Sequence, residues 1–343
     1  MRSFCTLFDK NYLYQGVALY QSLERFCNDF RLYALCMDQR AHAMLTRLGL
    51  ERLVPIAVDD LLNEEVSAVR SRTTHGQFCW VCQPLICRHV LDAYGCDMVT
   101  YLEADSLFFS DPEPLFQELG AQSASLVPHN YAPGCDNTQV AGKFCVQFNA
   151  FRNDEQGAAV LEYWKASCFQ YSKDRPLVYP GQTCLDDWPE RFDCVRVLSH
   201  PGAGVAPWNI QRYRFEISNG TLWVDDHPVV FYHYHEYGRY ANGAHELGNY
   251  RLPPSVIDSI YRTYATELAA AQASVQSVDP TFEFRRVYKN NITAWDLLRA
   301  PGYGHLRQYA HTLRRRVRGT YNVFPVNYFA RNEEDKECSS GHC

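Results

Sequence analysis

Val99-Thr-Tyr-Leu-Glu103-Ala-Asp105-Ser-Leu-Phe-Phe-Ser-Asp111-Pro112 decides how this chain is read. An apolar run of strand length ends on two carboxylates at i and i+2. A second apolar run follows, and Asp111-Pro112 has the form of a helix start. Open α/β sheets hold their ligands at the carboxyl ends of strands. Two acids at such an end offer hard oxygen ligands to Mg²⁺ or Mn²⁺, and such a cation bridges a diphosphate. Spacing alone leaves a second reading open, an acidic turn after a strand.

Outward from this stretch, strands and helices alternate. Residues 4–8 read as a strand, and Val17, Tyr20, Leu23 and Phe26 mark one face of the helix that follows. Residues 32–37 and 53–58 read as further strands, with a short helix around Leu45 and Leu48 between them. Residues 84–94 read as a helix ended by Gly95, and 98–102 as a buried strand. The pattern predicts a mostly parallel sheet with helices on both faces. Later strands are expected at 144–151, at Trp223-Val224 behind the turn Asn219-Gly220, and at 229–234. Helices are expected at 157–169 and from Pro253-Pro254 to about residue 273.

Val229-Val-Phe-Tyr-His233-Tyr-His235-Glu236 is the second informative run. Strand alternation places His233 and His235 on one face and Tyr232 and Tyr234 on the other. Imidazole suits Mn²⁺ as a further ligand, while two satisfied histidines on a half-buried strand fit the same pattern.

Together these segments resemble the nucleotide-sugar glycosyltransferases of the GT-A fold, in particular the glycogenin and bacterial galactosyltransferase group with its surface-polysaccharide branch. The resemblance spans roughly residues 3–240. Its opening, Phe4-Cys-Thr6-Leu-Phe8-Asp9-Lys-Asn-Tyr12-Leu with Ala18-Leu-Tyr-Gln-Ser-Leu23, is similar to the family's first strand and helix, where the nucleotide lies. Tyr101-Leu-Glu103-Ala104-Asp105 resembles the metal-binding DxD segment, with Glu103 in place of the first Asp. Gly142 to Arg152, carrying Gln147 and Asn149, resembles the segment that faces the donor sugar. Gly181-Gln182-Thr-Cys-Leu-Asp186-Asp187-Trp resembles the active-site helix, and Ala206-Pro-Trp-Asn209 follows in order.

The resemblance implies a Rossmann-like GT-A domain over residues 1–250; the helical pattern beyond it reads as a C-terminal extension over 251–329, and the polar run 330–343 as a mobile tail. It implies a sugar moved from a nucleoside diphosphate, UDP foremost, to an acceptor hydroxyl of a glycan, lipid-linked or protein acceptor, with retention of configuration, in surface glycan synthesis. Mn²⁺ or Mg²⁺ would be held by Asp105, His233 and Glu103. Thr6, Phe8, Asp9, Tyr12, Arg72, Glu103, Ala104, Gln147 and Asn149 would hold the donor. Gln182 and Asp186 would meet the reacting sugar, with Asp187 the weaker candidate beside them.

The departures are informative too. The family has Gly where Gln147 stands, Asn where Cys145 stands, Asp where Gly181 stands and Gly where Glu236 stands. Parity puts Cys145, Gln147 and Asn149 on one strand face, so Gln147 and Asn149 are expected to set the choice of sugar. The same departures leave open a nucleotide-sugar-binding protein that has lost turnover. A nucleotide-sugar pyrophosphorylase would need a glycine-rich basic loop near the N-terminus, and residues 4–16 offer only Lys10 and Gly16.

Three other features have two readings each. Cys79-Trp-Val-Cys82 with Cys87 has the look of a zinc or redox motif, but no second pair stands at a matching spacing, so packed thiols are expected. Arg70 and Arg72 suit either a donor diphosphate or a solvated loop. Residues 299–318 hold six Arg and no acid, with Leu306, Tyr309, Leu313 and Val317 on one helical face. That segment reads as a packed helix with a basic edge, or as a peripheral contact to anionic membrane.

Composition sets the limits. The 343 residues are 46% hydrophobic and 21% charged, which excludes a disordered or low-complexity chain. A net charge of −6 argues against a nucleic-acid partner. With no apolar run of membrane-span length and no export signal before Phe4, the expected location is the cytoplasm, with the inner membrane face as its periphery. The fourteen Cys are then expected to be reduced.

Overall fold

The computed structural model describes residues 1–174, 182–240, 242–283 and 303–330. Strands β1 (Arg2–Phe8), β2 (Phe30–Cys36) and β3 (Leu53–Ala57) alternate with helices α1 (Leu13–Phe26) and α2 (Gln39–Leu48). Helices α3 (Glu64–Arg70) and α4 (His75–Tyr94) lead to β4 (Met98–Leu102), β5 (Ser106–Phe108) and α5 (Glu113–Leu119). Then come β6 (Ala124–Pro128), α6 (Thr138–Ala141), β7 (Phe144–Cys145), β8 (Phe148–Arg152) and α7 (Glu155–Asp174). The central sheet has the order β3-β2-β1-β4-β8-β6-β7, and β9 (Val195–Val197), which follows the short helix α8 (Trp188–Arg191), lies beside β6. Strands β3, β2, β1 and β4 run parallel, and β8 is antiparallel to β4 and β6. The fold is therefore mixed α/β with a mostly parallel core sheet between helical layers.

Both faces of that sheet are buried, so its inner strands read as nearly continuous apolar runs. Phe4 and Phe8 of β1 enter one cluster with Val17, Leu23 and Leu102; Cys5 points into the other with Val90, Val99 and Trp164.

Helix α4 begins nine residues before the expected start at Pro84. Thr74 caps it, and Thr74 and Gln77 form a reciprocal capping box. Pro84 therefore sits inside the helix, where its missing N–H frees the carbonyl of Trp80. The Cys168 thiol lies 4.0 Å from that carbonyl. Cys82 and Cys87 are fully buried in the core beside Phe78, as packed thiols. Among the described residues all cysteines are free.

The strand expected at 144–151 is two strands. Phe144 and Cys145 pair with Pro128 and Val127 on β6, whereas 148–152 pair with β4. The chain changes neighbours at Val146-Gln147, and side-chain parity does not carry across that break. The turn Asn219-Gly220 joins β10 (Phe215–Ser218) to β11 (Thr221–Val224) with both residues at positive φ. Strand β12 (His227–Pro228) precedes β13 (Phe231–His233), which pairs antiparallel with β5 and sets His233 opposite Ser106.

Strands β14 (Gly238–Arg239) and β15 (His245–Glu246) follow, then α9 (Pro254–Val256), a π-helical turn at Ile257–Tyr261 and α10 (Arg262–Val278). Tyr264, Leu268 and Val275 of α10 share the core cluster of Val17 and Leu23, so this helix packs as part of the same body. The last helix, α11 (Tyr303–Arg318), precedes β16 (Val323–Phe324), which closes a small sheet on β15. Residues 299–302 and the tail 331–343 lie outside the described residues. Among those described, no helix is long and apolar enough to cross a membrane.

Helix α11 is amphipathic in an unexpected sense. Arg315 is turned inward, 8% exposed, and its guanidinium donates to both oxygens of buried Glu246 at 2.7 Å and to Gly248 O at 3.0 Å. Leu306, Leu313 and Val317 are the exposed ones. A buried ion pair that loses one partner leaves an uncompensated charge, at a cost of about 3–5 kcal/mol. Arg315→Ala is expected to lose about that much stability in urea unfolding, and Arg314→Gln, one residue away on the exposed side, to change it by less than about 0.5 kcal/mol.

Candidate active site

The site is built where β4 ends. Leu102 leaves the sheet, and the chain presents Glu103, Ala104 and Asp105 before β5 begins. Strand β13 then supplies His233, because its pairing with β5 is extended by Tyr234 N donating to Asp105 O at 2.8 Å. On the other side of β13, His233 N donates to Val205 O at 2.9 Å. Alternation holds as expected. His233 and His235 face a cavity of about 580 Å³, whereas Tyr232 and Tyr234 enter the core and bond to Tyr261 OH and Ile260 O.

The geometry at the cavity floor is specific. His233 Nε2 lies 3.2 Å from Asp105 Oδ1, and His233 Nδ1 lies 3.0 Å from Gln147 Oε1. Burial opposes the His233 charge, but Asp105 outweighs it and raises the imidazole well above its usual range. Burial likewise raises Asp105, and the His233 cation outweighs that to hold the carboxyl below its usual range. Glu103 behaves differently. Burial first and Asp105 second push its carboxyl up to about 7. Gln83, 2% exposed on α4, donates to Glu103 Oε1 at 3.0 Å and to Tyr101 OH at 3.3 Å.

A carboxylate oxygen and an imidazole nitrogen converging in this way are donor types that a hard divalent cation accepts. The expected third ligand, Glu103, is not gathered with them. Among the described residues no group of three His, Cys, Asp or Glu side chains is placed to hold a metal ion by itself.

The cavity runs between two walls. One is built from Phe8, Asp9 and Tyr12 at the β1–α1 turn, with His75, Cys79 and Gln83 of α4 above them. Asp9 is fixed there by bonds from Asn11 N and Asn11 Nδ2 and by His75 Nε2 at 3.2 Å. The other wall is aromatic. His129 stacks on Tyr131 with ring centres 4.7 Å apart, Trp208 sits edge-on to His129 and His235, and His235 bonds to Tyr250 OH at 2.8 Å. Trp208 Nε1 and Asn209 Nδ2 both donate to His129 O, which fixes this wall. Burial depresses the His129 imidazole to about 3, so it stands there neutral.

Of the residues expected from sequence, Phe8, Asp9, Tyr12, Glu103, Ala104, Asp105, Gln182 and His233 line the cavity. Gln182 is anchored by Nε2 donating to Ala141 O at 2.8 Å. Thr6 is fully buried within β1, and exposed Arg72 follows α3; neither lines the cavity. Asp186 stands behind the wall, its Oδ1 accepting from Lys143 N at 2.6 Å, while Asp187 accepts from Tyr163 OH at 2.6 Å. Cys145 lines the cavity, but Gln147 and Asn149 are fully buried behind it, and Asn149 Nδ2 donates to Ser125 O. Gly181 lies outside the described residues. Gln83, His129 and Tyr131 were missed from sequence. The one signal for Gln83 was a lone amide in an otherwise apolar run, Phe78 to Cys87.

No family model matches the chain. It is similar to two uncharacterized proteins of Bacillus subtilis (strain 168). YfnF is 28% identical over 295 residues, 82% of this chain and 96% of that protein; YfnD is 27% identical over 290 residues, 81% and 92% respectively. Among solved structures it is similar to the galactosyltransferase LgtC in complex with donor and acceptor sugar analogs, at a TM-score of 0.48 and 14% identity, over 78% of this chain and 95% of LgtC. It is similar also to mouse xyloside xylosyltransferase 1 in its apo form, at a TM-score of 0.45 and 12% identity, over 68% and 97%.

Glu236 closes the rim of the cavity in a left-handed conformation, φ 63°, that favours glycine. Its carboxylate accepts from Asn249 N at 3.0 Å, an exposed bond.

Proposed function

We propose that this protein is a GT-A-type glycosyltransferase that moves a sugar from a nucleoside diphosphate, UDP foremost, to an acceptor hydroxyl, with Mn²⁺ or Mg²⁺ at Asp105 and His233. The observation that carries the reading is the 3.2 Å approach of His233 Nε2 to Asp105 Oδ1 on the floor of a cavity with one polar and one aromatic wall. Two protein ligands suit this use, because a six-coordinate cation then has places left for diphosphate oxygens and water. When bound, the cation offsets the negative charge that grows on the departing diphosphate.

The remaining roles belong to the chain itself. Phe8, Asp9 and Tyr12 would receive the base and ribose at the β1–α1 turn. Glu103, its carboxyl pushed up to about 7 and so divided between protonated and ionised forms at neutral pH, would in the protonated form donate a hydrogen bond toward the donor. Trp208, Tyr131 and Tyr250 give sugar rings apolar faces to lie on. Gln182 Oε1 would accept from a sugar hydroxyl. Retention of configuration and a surface-glycan role are carried over from the family resemblance. A binding protein without turnover is the second reading, favoured by Asp186, which is engaged with Lys143 N and does not line the cavity.

Calorimetry with UDP and Mn²⁺, followed by assay of UDP release from UDP-sugars, tests both readings. Asp105→Ala and His233→Ala are expected to abolish Mn²⁺-dependent UDP binding, and His235→Ala to weaken it by less than about 10-fold. A proton on His233 competes with the cation, since that imidazole titrates above its ordinary value. Mn²⁺ affinity is thus expected to rise from pH 6 to pH 8, by about tenfold per unit for each proton displaced. Binding that ignores Mn²⁺ and pH would overturn the cation's role. Tight binding of UDP-sugars without UDP release would favour the second reading.

We further propose that α11 touches an anionic lipid surface. Leu306, Leu313 and Val317 are exposed on one stripe, with Arg307, Arg314 and Arg318 exposed beside them. Vesicles containing phosphatidylglycerol should sediment with the protein at low salt, and Leu313→Asn with Arg314→Gln should reduce this several-fold. No sedimentation of the parent protein would end the idea.

A further inference from the structure

Gln147 is a costly residue in its place. It is fully buried in the break between β7 and β8, and its Nε2 has no hydrogen-bond partner among the described residues. An unpaired buried amide N–H gives up its hydrogen bond to water with no replacement, and an apolar side chain of the same size would avoid that loss. The surroundings are shaped around this amide. Gly204, at φ 71°, packs so closely that a Cβ there would come 2.4 Å from Gln147 Nε2 and from Val127 Cγ1. Among the described residues, the one bond Gln147 makes through its side chain is to His233 Nδ1, at 3.0 Å.

An imidazole uses its two nitrogens for different tasks. The nitrogen that keeps a proton orients the ring through its hydrogen bond, and the bare nitrogen binds the cation. In this chain Nε2 faces Asp105 Oδ1 and Nδ1 faces Gln147 Oε1. The amide oxygen accepts, so it favours the proton on Nδ1 and leaves Nε2 as the nitrogen to be bared. The other neighbour of Nδ1, Cys145 Sγ, is 3.9 Å away and is a weak acceptor.

We propose that Gln147 is a positioning residue: it holds the proton on His233 Nδ1 and so keeps Nε2 directed to a divalent cation shared with Asp105. This deepens the cation site proposed above and rests on it for the cation, though the link from Gln147 to His233 stands without it. Gln147 acts on the ring alone; it is not among the residues that line the cavity.

The test uses the full chain with ¹⁵N-labelled histidine. In the parent protein, the His233 Nδ1–H should appear as a slowly exchanging imidazole resonance. Gln147→Leu should lose that resonance and bind Mn²⁺ alone about 10- to 100-fold more weakly, with the unfolding midpoint confirming a folded protein. Gln147→Glu, which can only accept, should restore both, and Cys145→Ala should change neither. A resonance that survives Gln147→Leu overturns the proposal, as does its loss with unchanged Mn²⁺ affinity. If the parent binds no Mn²⁺, the cation site itself fails; the resonance and its response to Gln147→Leu still report separately on whether Gln147 holds the ring.

Discussion

The antiparallel pairing of β13 with β5 is the constraint on which the site depends. Strand β5 follows Asp105 directly, so a strand annealed to it must bring its own end to the same place. The register sets His233 opposite Ser106, and the bond from Tyr234 N to Asp105 O extends the ladder by one step. A slip by one residue would exchange histidines and tyrosines between cavity and core. The buried tyrosines resist it: Tyr234 stacks on Tyr264 with ring centres 3.6 Å apart and bonds to Ile260 O. Residues far from the cavity on α10 thus determine which side chain meets Asp105.

The two walls have different origins and different chemistry. The wall from β1, α1 and α4 belongs to the parallel half of the sheet and carries Asp9 and Glu103 at strand ends and Gln83 within α4. The aromatic wall comes from irregular segments around 129–137, Trp208 and Tyr250, held by side-chain bonds to single backbone carbonyls such as His129 O. The first wall is positioned by the sheet. The second is positioned by a few buried polar contacts, and it is where exchange of one residue would reshape the cavity with the least effect on the fold.

The regular half of the molecule was readable from sequence because burial on both sheet faces leaves continuous apolar runs between helical patterns. The end of β4 with Glu103 and Asp105, and the parity of His233 and His235, were readable for the same reason. What escaped depends on tertiary partners. Pro84 looked like a helix start because nothing local shows that a thiol 84 residues away, Cys168, lies near the carbonyl it frees. Gln147 and Asn149 looked like cavity residues because parity was carried through a break that only the change of strand partners reveals. Arg315 looked like one basic residue among many until Glu246 was found beneath it.

That last pair has a consequence for how the chain is made. Glu246 leaves the ribosome 69 residues ahead of Arg315, and β16, which completes the sheet on β15, comes later still. Through that interval the carboxylate has no countercharge and cannot be buried at low cost. The rim segment of Tyr250 and Asn249, tied to the same small sheet through Asn322 and Thr320, stays unanchored as well. The nascent protein can fold its parallel half early, as domains made from the N-terminus do. Its cavity closes only after residues 315–324 have been made.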